Sequence, residues 1–481
     1  MHEPPPGKVA PALSTPVHTP PLAPMRERAS WALYDFANTI FSMNVATLYF
    51  SVWLINDLGA SNTVYALGNG VSSLLVVLSV PVLGALSDAR RRRKPWVVGF
   101  TIAACIACAA IGVLGQRTLP IAGEGTIAGA LPAGWVPSVG AFGWVLVAFI
   151  IANYCYQAAQ PFYNAMMPDL VPPAEQGRLS GIGTALGYVG TIVGLLLVVP
   201  FFNGALPLFG TLPAVILDTL RSVVPFTSHG GRVSTFVPTA FLFLLFSLPL
   251  FFLCRDRQPR AGRVEWRGAF TNVAHTLRAA RSHPGAVPFI LASFLYQDAI
   301  GTIVSFMALY AVKAMGFAKG AETTLFLVLT VPAIVGSYFA GRLVDRVGAK
   351  RTLVIAIVSW IVLLVAMIVV PTQQAFWVVG LFIGLIFGAV PTAERPMLLS
   401  LVPKEEAGRF FSLMLLSSRA AAVAGPLIWG FTVDGLEPGH GTGLAYRAAV
   451  VTVILMFAAS LLLLRRVPNR GVHAPPIPGV T

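Results

Sequence analysis

The chain has 481 residues, of which 56% are hydrophobic and only 11% are charged, and its formal net charge is +14. Soluble domains carry about 25% charged residues, so this composition excludes an ordinary soluble enzyme and indicates a membrane protein. In a soluble protein this charge would suggest nucleic-acid binding, but here the Lys and Arg residues cluster in alternate loops between apolar runs.

A proline-rich segment opens the chain, and residues 1–24 contain eight prolines. This composition predicts a disordered N-terminal tail, and a second disordered tail is predicted over 467–481. The opening segment does not resemble a cleaved signal peptide, because the apolar stretch after Arg26 and Arg28 is long enough to span a bilayer.

Twelve apolar stretches of spanning length follow the tail. They predict an all-α membrane protein with twelve transmembrane helices in two six-helix bundles. The predicted spans are 31–55, 64–87, 96–115, 142–166, 179–203, 237–254, 287–312, 323–341, 352–371, 375–400, 410–432 and 445–465.

The distribution of Lys and Arg predicts the orientation in the membrane. With a cytoplasmic N-terminus, the inner loops and tails hold 25 of the 33 Lys and Arg residues, and two more lie within spans. The outer loops hold only Arg117, Arg221, Arg232, Lys313, Lys319 and Arg447. This asymmetry predicts an integral multi-pass protein of the cell (inner) membrane with both termini in the cytoplasm.

The longest inner connection divides the chain into halves. The predicted units are an N-terminal bundle, 25–254, a cytoplasmic linker, 255–286, and a C-terminal bundle, 287–466. Apolar linker residues recur at helical spacing among arginines, which predicts an amphipathic helix on the inner leaflet, with an unstructured linker as the alternative. These apolar residues are Trp266, Phe270, Val273 and Leu277.

Two basic loops repeat between the halves. Residues 84–94 read GALSDARRRRK and residues 341–351 read GRLVDRVGAKR. Glycine allows helices to approach closely and the charges cannot enter lipid, so both segments are predicted to be membrane-surface turns that gate the inner side. Two unrelated basic turns are the alternative for either copy alone. The expected gating residues are Gly84, Asp88, Arg92, Arg93, Lys94, Gly341, Asp345, Arg346, Lys350 and Arg351.

A second repeat follows the fourth span of each half. Residues 170–178 read LVPPAEQGR and residues 401–409 read LVPKEEAGR, which share six residues at identical spacing. The two halves therefore correspond helix for helix. Parallel repeats of this kind build two bundles around a central site near the bilayer midplane.

Polar residues inside the spans are the candidates for that site, because they are unfavourable in lipid. On the fourth span they recur at i, i+4, i+7 and i+11, which places them on one helix face. The candidate cavity residues are Asp35, Asn38, Asn153, Gln157, Gln160, Asn164, Gln297, Asp298, Thr302, Glu394 and Arg419. Glycines at a spacing of three or four residues on the fifth span, Gly183 to Gly194, are expected to pack helices closely.

Three of these residues are carboxylates that could couple transport to protons. Asp298 is the first choice because its position near the middle of the seventh span is the deepest, and Asp35 and Glu394 are the others. The competing interpretation is that Asp298 is a charged contact for a substrate ammonium group. We expect Glu394 to form an ion pair with Arg419, since lone buried charges are unfavourable; the alternative places Glu394 at the inner interface.

The basic loops carry a family resemblance. Their spacing, G-x-L-x-D-x-x-G-x-[RK]-[RK], resembles the signature loop of the major facilitator superfamily between helices two and three and between helices eight and nine. The second copy fits fully, whereas the first has Arg91 where the family places Gly and Ala89 where it favours Arg. The resemblance implies the major facilitator fold, in which the first and fourth helices of each half line a central cavity.

A narrower resemblance lies in three segments, RERASWALYDFANTIFS at 26–42, YNAMMPDLV at 163–171 and RLSGIGTALGYVG at 178–190. They are similar to the vacuole-effluxer branch of that superfamily, whose fungal members are linked to autophagy and to amino-acid release from the vacuole. The signature positions carried over are Trp31, Tyr34, Asp35 and Asn38.

These observations predict a secondary transporter that works by alternating access and exports amino acids or similar small polar metabolites, coupled to protons. The alternative is an exporter or flippase of lipids or amphiphilic drugs. No enzyme is expected, because all seven His lie in tails or loops and no nucleotide-binding motif occurs. We expect no cofactor, no metal, no nucleic acid and no obligate protein partner. The expected partners are a small-molecule substrate, protons and membrane lipids.

Overall fold

A computed structural model describes most of the chain. The described residues are 22–58, 60, 62–90, 92–118, 139–206, 210–227, 230–256, 283–317, 321–421 and 424–469. The predicted amphipathic helix in the linker and most of both predicted tails lie outside them. The side chains of Asp88 and Arg419 also lie outside the described part of the structure.

Twelve long helical segments occupy the described residues, and ten of them are long and apolar enough to cross a membrane by length and composition. Uninterrupted segments are α1, Met25–Phe41; α2, Asn62–Arg90; α3, Lys94–Thr118; α4, Val139–Ala165; α5, Gln176–Asn203; α6, Phe236–Leu253; α7, Ala286–Lys313; α8, Ala321–Val347; α9, Ala349–Val369; and α12, Thr442–Arg465. Two segments comprise two helices each, namely α10, Gln373–Phe387 with Ala389–Leu401, and α11, Ala407–Ala421 with Ala424–His440. The all-α, multi-span fold class is confirmed.

Shorter elements continue or join these helices. The first helix continues through π-helical turns at Ser42–Tyr49 and Trp53–Asp57, joined by Phe50–Val52. The remaining short helices are Met167–Leu170, Pro173–Glu175, Ala214–Val223, Arg232–Thr235 and Lys404–Glu406. A two-stranded antiparallel hairpin, β1 at Ala205–Leu206 and β2 at Gly210–Thr211, pairs Ala205 with Thr211.

The helices enclose two hydrophobic cores, one for each half of the chain. We call residues 22–256 the N-half and residues 283–469 the C-half, within the described ranges. Stacked aromatic rings lie inside both cores, with Phe50 on Phe149 at 3.8 Å and Trp360 on Phe457 at 5.6 Å between ring centroids. Each half is therefore packed as a bundle around its own core.

The two basic repeats are mostly helical, which corrects their prediction as turns. Gly84 lies inside α2, which continues to Arg90, and Gly341 lies inside α8, which continues to Val347. The turn of the second copy is confined to Gly348, whose φ of 93° suits glycine. Helices can extend past the apolar layer because a last turn rich in Lys and Arg complements the helix dipole. We call the helix ends next to Arg93 and Gly348 the Asp-loop end, and the other side the far end.

The two halves meet chiefly through α5 with α8 and α2 with α11. In each contact, a glycine of a basic repeat (84–94 or 341–351) lies against a glycine of an LVP repeat (170–178 or 401–409). A Cβ on Gly341 would lie 2.6 Å from the carbonyl oxygen of Gly177, and a Cβ on Gly84 would lie 2.9 Å from that of Gly408. The halves therefore approach at backbone distance at the Asp-loop end, where glycines leave room for close helix contact.

Candidate functional site

The Asp-loop end is joined by polar contacts as well as by glycines. The carboxylate of Asp345 accepts a hydrogen bond from the backbone N–H of Arg178 at 2.9 Å, across the halves. The Arg93 guanidinium donates to the carbonyl oxygen of Lys404 at 2.6 Å, also across the halves, and to that of Ala165 at 2.5 Å. Cations and acids of the repeats thus bond to backbone groups of the opposite half.

The other expected gating cations are distributed differently. Lys94 donates to the carbonyl oxygen of Cys254, and Lys350 donates to that of Val467, so both tie elements within their own half. Arg92, Arg346 and Arg351 are exposed. Among the described residues, therefore, few of the predicted gating residues bond to the opposite half.

Burial changes the acid–base properties of the carboxylate at this end. Desolvation raises the pKa of Asp345 to about 6, and the backbone N–H groups of Arg178 and Gly177 oppose the rise by donating to the carboxylate. The nearby charged side chains are Glu175, which raises this pKa, and Arg178, which lowers it. Asp345 therefore changes its charge close to physiological pH.

Deeper between the halves, an ion pair joins α1 to α10. The guanidinium of Arg395 binds Asp35 in a bidentate manner, with nitrogen to oxygen distances of 2.8 and 3.1 Å. Both side chains are buried, with 13% of Arg395 and 7% of Asp35 exposed. A Cβ on Gly183 of α5 would lie 2.8 Å from Asp35 Oδ2, so that glycine leaves the room that the pair occupies.

Two aromatic side chains support this pair. Trp31 and Tyr163 stack at 4.5 Å, and each donates a side-chain hydrogen bond to the other's backbone carbonyl oxygen at 3.0 Å. The guanidinium carbon of Arg395 lies 5.7 Å from both ring centroids, which is a cation–π distance. Arg395 is therefore held by a carboxylate and two ring faces of the opposite half.

Glu394, the residue before Arg395, faces its own half. Its carboxylate accepts hydrogen bonds from Ser293 Oγ at 2.6 Å, Tyr296 Oη at 2.7 Å and Gln297 Nε2 at 2.7 Å, all on α7. Burial of an acid requires such donors in place of water. The residue is buried within the helix bundle of its own half. The expected pair with Arg419 stays a prediction, because that side chain is outside the described part.

Asp298 lies at the junction of α7 and α11. Its Oδ2 accepts from the backbone N–H of Gly425 at 2.8 Å, at the start of the second helix of α11. A Cβ on Gly425 would overlap Thr302 Oγ1 and would lie 2.6 Å from Asp298 Oδ1. Gln297 bonds Glu394, so it is not the partner of Asp298 that its sequence position suggests.

The polar residues on one face of α4, Asn153, Gln157, Gln160 and Asn164, occupy two kinds of position. Asn153 donates to Asn69 and Ser72 of α2 at 2.9 and 2.7 Å, so it joins helices within the N-half. Further along, Gln157 is buried and Gln160 is half-buried, and each has a buried amide atom without a hydrogen-bond partner among the described residues. On this face of α4, Asn153 therefore joins neighbouring helices, whereas Gln157 and Gln160 carry unpaired amide atoms.

Unpaired buried polar atoms recur among the candidate cavity residues. In the described part of the chain they include Asn38 Oδ1, Gln157 Oε1, Gln160 Nε2, Asn164 Oδ1, Asp298 Oδ1 and Thr302 Oγ1. An unsatisfied buried polar group costs about 1–3 kcal/mol, and native proteins have few. These six candidate cavity residues on α1, α4 and α7 thus each carry a polar atom without a hydrogen-bond partner among the described residues.

The candidate cavity residues chosen from the sequence do not include Arg395 or Tyr163, and Trp31 was singled out only as a family-signature position. Arg395 follows Glu394 directly, and the sequence does not say that the two adjacent charges point to different halves. A check of every pair of oppositely charged residues within the predicted spans would have included the pair of Asp35 and Arg395. The described residues contain no group of three or more His, Cys, Asp or Glu placed to hold a metal ion.

Comparisons with known proteins agree on the class of molecule. A family model described as "Vacuole effluxer Atg22 like" matches residues 59–472. An uncharacterised MFS-type transporter of Bacillus subtilis, YxiO, is 24% identical over 455 residues, which cover 92% of this chain and 95% of that protein. The multidrug resistance protein MdtG of Enterobacter lignolyticus is 25% identical over 271 residues, or 56% of this chain and 58% of that one.

Solved structures share the fold. The major facilitator transporter FucP in its outward conformation superimposes with a TM-score of 0.66 at 14% identity, covering 92% of this chain and 98% of that chain. A bacterial homologue of the iron transporter ferroportin in an outward-facing state gives 0.65 at 14% identity, with the same coverage. At this identity the likeness shows the fold and not the cargo.

Proposed function

We propose, since this chain belongs to the vacuole effluxer Atg22-like family of major facilitator transporters, that it exports amino acids or similar small polar metabolites by proton-coupled alternating access. The family consists of membrane transporters and not enzymes. The proposal goes beyond the family in naming the cargo class, the coupling ion and the direction of transport.

The observation that carries alternating access is the ion pair between Asp35 and Arg395. It is bidentate and buried, and it joins the two bundles on the same side as the glycine contacts. Rocking of the bundles about a central site would have to break it, because α1 and α10 belong to opposite halves. The pair thus acts as a latch on the state in which the Asp-loop end is closed.

The cargo class follows from the unpaired polar atoms. Amide groups of Gln157 and Gln160 and the Thr302 hydroxyl can exchange hydrogen bonds with the ammonium, carboxylate or amide groups of a small metabolite. A wholly apolar cargo would leave all these atoms unsatisfied.

Proton coupling is assigned to Asp298. Its described polar contact is a backbone N–H, so neutralising it breaks no ion pair among the described residues. Protonation of Asp35 would instead release Arg395, and protonation of Glu394 would disturb three donors. Asp298 can therefore gain and lose a proton with little rearrangement.

Orientation and location are part of the same proposal. The Asp-loop end carries most of the Lys and Arg residues, so we place it in the cytoplasm and the protein in the cell membrane. The first and last described residues of the chain lie on this side, where Ala23 bonds to Leu170 and Val467 bonds to Lys350.

A counterflow screen tests the cargo. Purified protein in liposomes loaded with one unlabelled compound should take up the same labelled compound without any gradient. Amino acids, dipeptides and sugars form the panel, and uptake of amino acids at several times the rate of empty liposomes is expected. Uptake of sugars alone, or of none of these compounds, would contradict the cargo assignment.

Efflux of amphiphilic compounds is the second candidate. It is favoured by the relatives named as multidrug resistance proteins, which match more than half of the chain. Cells that express the protein would then tolerate amphiphilic cations better than cells with the empty vector. Unchanged tolerance together with amino-acid counterflow would reject this candidate.

A further inference from the structure

A lateral cavity of about 640 Å³ lies between α8, α9 and α10, outside the interface of the two halves. Arg342 and Arg346, one helical turn apart on α8, line it at the Asp-loop end. Its lining contains no Asp or Glu. The cavity therefore combines apolar walls with two positive charges at one end.

The two guanidiniums are available to a ligand. Both side chains are exposed, and neither forms an ion pair with a described residue. Arg342 is oriented by the ring of Tyr338, whose centroid lies 4.6 Å from the guanidinium carbon. Two neighbouring cations without an ion pair among the described residues, one of them oriented by an aromatic ring, favour a phosphate group at a membrane surface.

The rest of the cavity is suited to hydrocarbon. Phe339 is 58% exposed, Ile355 48% and Leu385 38%, and these side chains line a wall that faces away from the core. At the deep end a Cβ on Gly336 would overlap the carbonyl oxygen of Leu385, so α8 and α10 touch there and close the cavity. From Arg346 to Gly336 the cavity extends ten residues along α8, which is about 15 Å.

We propose that this cavity binds an anionic phospholipid, with its phosphodiester on Arg342 and Arg346 and an acyl chain along the wall toward Gly336. Charge complementarity selects the anionic headgroup, since a choline cation would be repelled by the same two arginines. The depth of the apolar wall selects a lipid over a free anion, because a soluble phosphate would contact only the guanidiniums. The bound lipid connects α8, which touches α5 of the other half, with α9 and α10.

Native mass spectrometry of the full-length, delipidated protein tests this proposal. Titration with phosphatidylglycerol should give adducts at a concentration roughly thirtyfold lower than phosphatidylcholine, since each of the two cations near a membrane surface contributes about 1 kcal/mol. The double variant R342Q/R346Q should lose that preference. R342K/R346K should keep most of it, because lysine retains the charge.

The matched control is R465Q/R466Q, which removes two exposed cations from the end of α12, outside the cavity. It should bind phosphatidylglycerol as the unchanged protein does. Equal binding of the two lipids, or equal loss in the control, would overturn the proposal. Displacement of phosphatidylglycerol by inorganic phosphate would assign the site to a soluble anion instead.

Discussion

At the residue scale, Asp35 and Arg395 form a buried bidentate pair between the two halves, with the shorter contact at 2.8 Å. Removing one partner leaves a desolvated charge, which costs about 3–5 kcal/mol in a buried pair. In the proposed alternating-access cycle the pair breaks when the Asp-loop end opens, so this energy would bear on the balance between the two proposed states.

Asp35→Asn alone should lower the apparent melting temperature in detergent and favour the state open at the Asp-loop end, because Arg395 then gains water instead of its lost partner. The double variant D35N/R395Q should recover much of the melting temperature. The matched control is Asp57→Asn, whose pair with Arg232 at 2.6 Å is about a quarter exposed and should contribute below about 1 kcal/mol. Equal melting of all four proteins would contradict the latch.

Asp298 permits a separate test of coupling at the same scale. Asp298→Asn keeps an oxygen that can accept the N–H of Gly425, so the junction of α7 and α11 should persist. We expect the variant to lose accumulation driven by a pH gradient while it keeps cargo exchange without a gradient. Loss of exchange as well would support the contact with a substrate ammonium group. Normal pH-driven accumulation would exclude both roles.

At the scale of elements, the paired glycines of α5 with α8 and of α2 with α11 set how closely the halves approach. In each pair, one glycine belongs to a basic repeat and the other to an LVP–GR repeat of the opposite half. In these contacts, neither kind of repeat meets its own second copy. A methyl group at Gly84 or Gly341 meets backbone of the opposite half, which cannot move away without parting the helices.

Gly341→Ala should open the Asp-loop end, because the added Cβ would lie 2.6 Å from the Gly177 carbonyl oxygen. A cysteine placed at Gln160 should then react several times faster with a membrane-impermeant maleimide added from that end. The four native cysteines are buried and provide a low background. Gly430→Ala, with nothing within 4 Å of its Cβ, is the control and should leave the rate unchanged.

The same gate should depend on pH through Asp345. Burial in the closed state raises its pKa from the ordinary 3.8 to about 6, so closure takes up a proton between these values. The closed state is therefore favoured fully below pH 4 and loses this contribution as the pH rises through about 6. Spin-label distances between Arg92→Cys and Glu405→Cys should be shorter at pH 5 than at pH 7.5. In Asp345→Asn, the spin-label distance should be the same at both pH values. If the distance still changed with pH, another group would be responsible for the pH dependence.

At the scale of the whole molecule, the two bundles are held at one end while basic residues mark that same end. Alternating access requires that the end now closed faces one compartment only. The orientation proposed from the Lys and Arg distribution can be measured directly.

Cysteine labelling should report both sides of the membrane. Arg465→Cys, exposed at the end of α12 on the Asp-loop side, should react with an impermeant maleimide only in inverted vesicles. Ser222→Cys, exposed in the short helix Ala214–Val223 at the far end, should react in intact cells. The reverse pattern would invert the proposed topology.

The sequence by itself determined the class of fold and the repeat. Apolar runs of spanning length must cross a bilayer as helices, since backbone groups find no water there, and this requirement can be read from composition alone. The paired loops and the LVP–GR segments predicted the correspondence between halves, because six shared residues at identical spacing indicate a repeated unit. Polar residues within spans likewise predicted that α1, α4, α7 and α10 line the central cavity.

Only the tertiary structure decided which of these groups meet. Glu394 and Arg395 are adjacent in sequence, yet one accepts bonds from α7 and the other binds Asp35 on α1, because successive residues on a helix point about 100° apart. Asn153 matches Gln157 in helical register but bonds to α2, since the choice depends on which neighbour packs at each depth. Contacts between residues hundreds of positions apart depend on how the bundles dock, and periodicity within one helix does not contain that information.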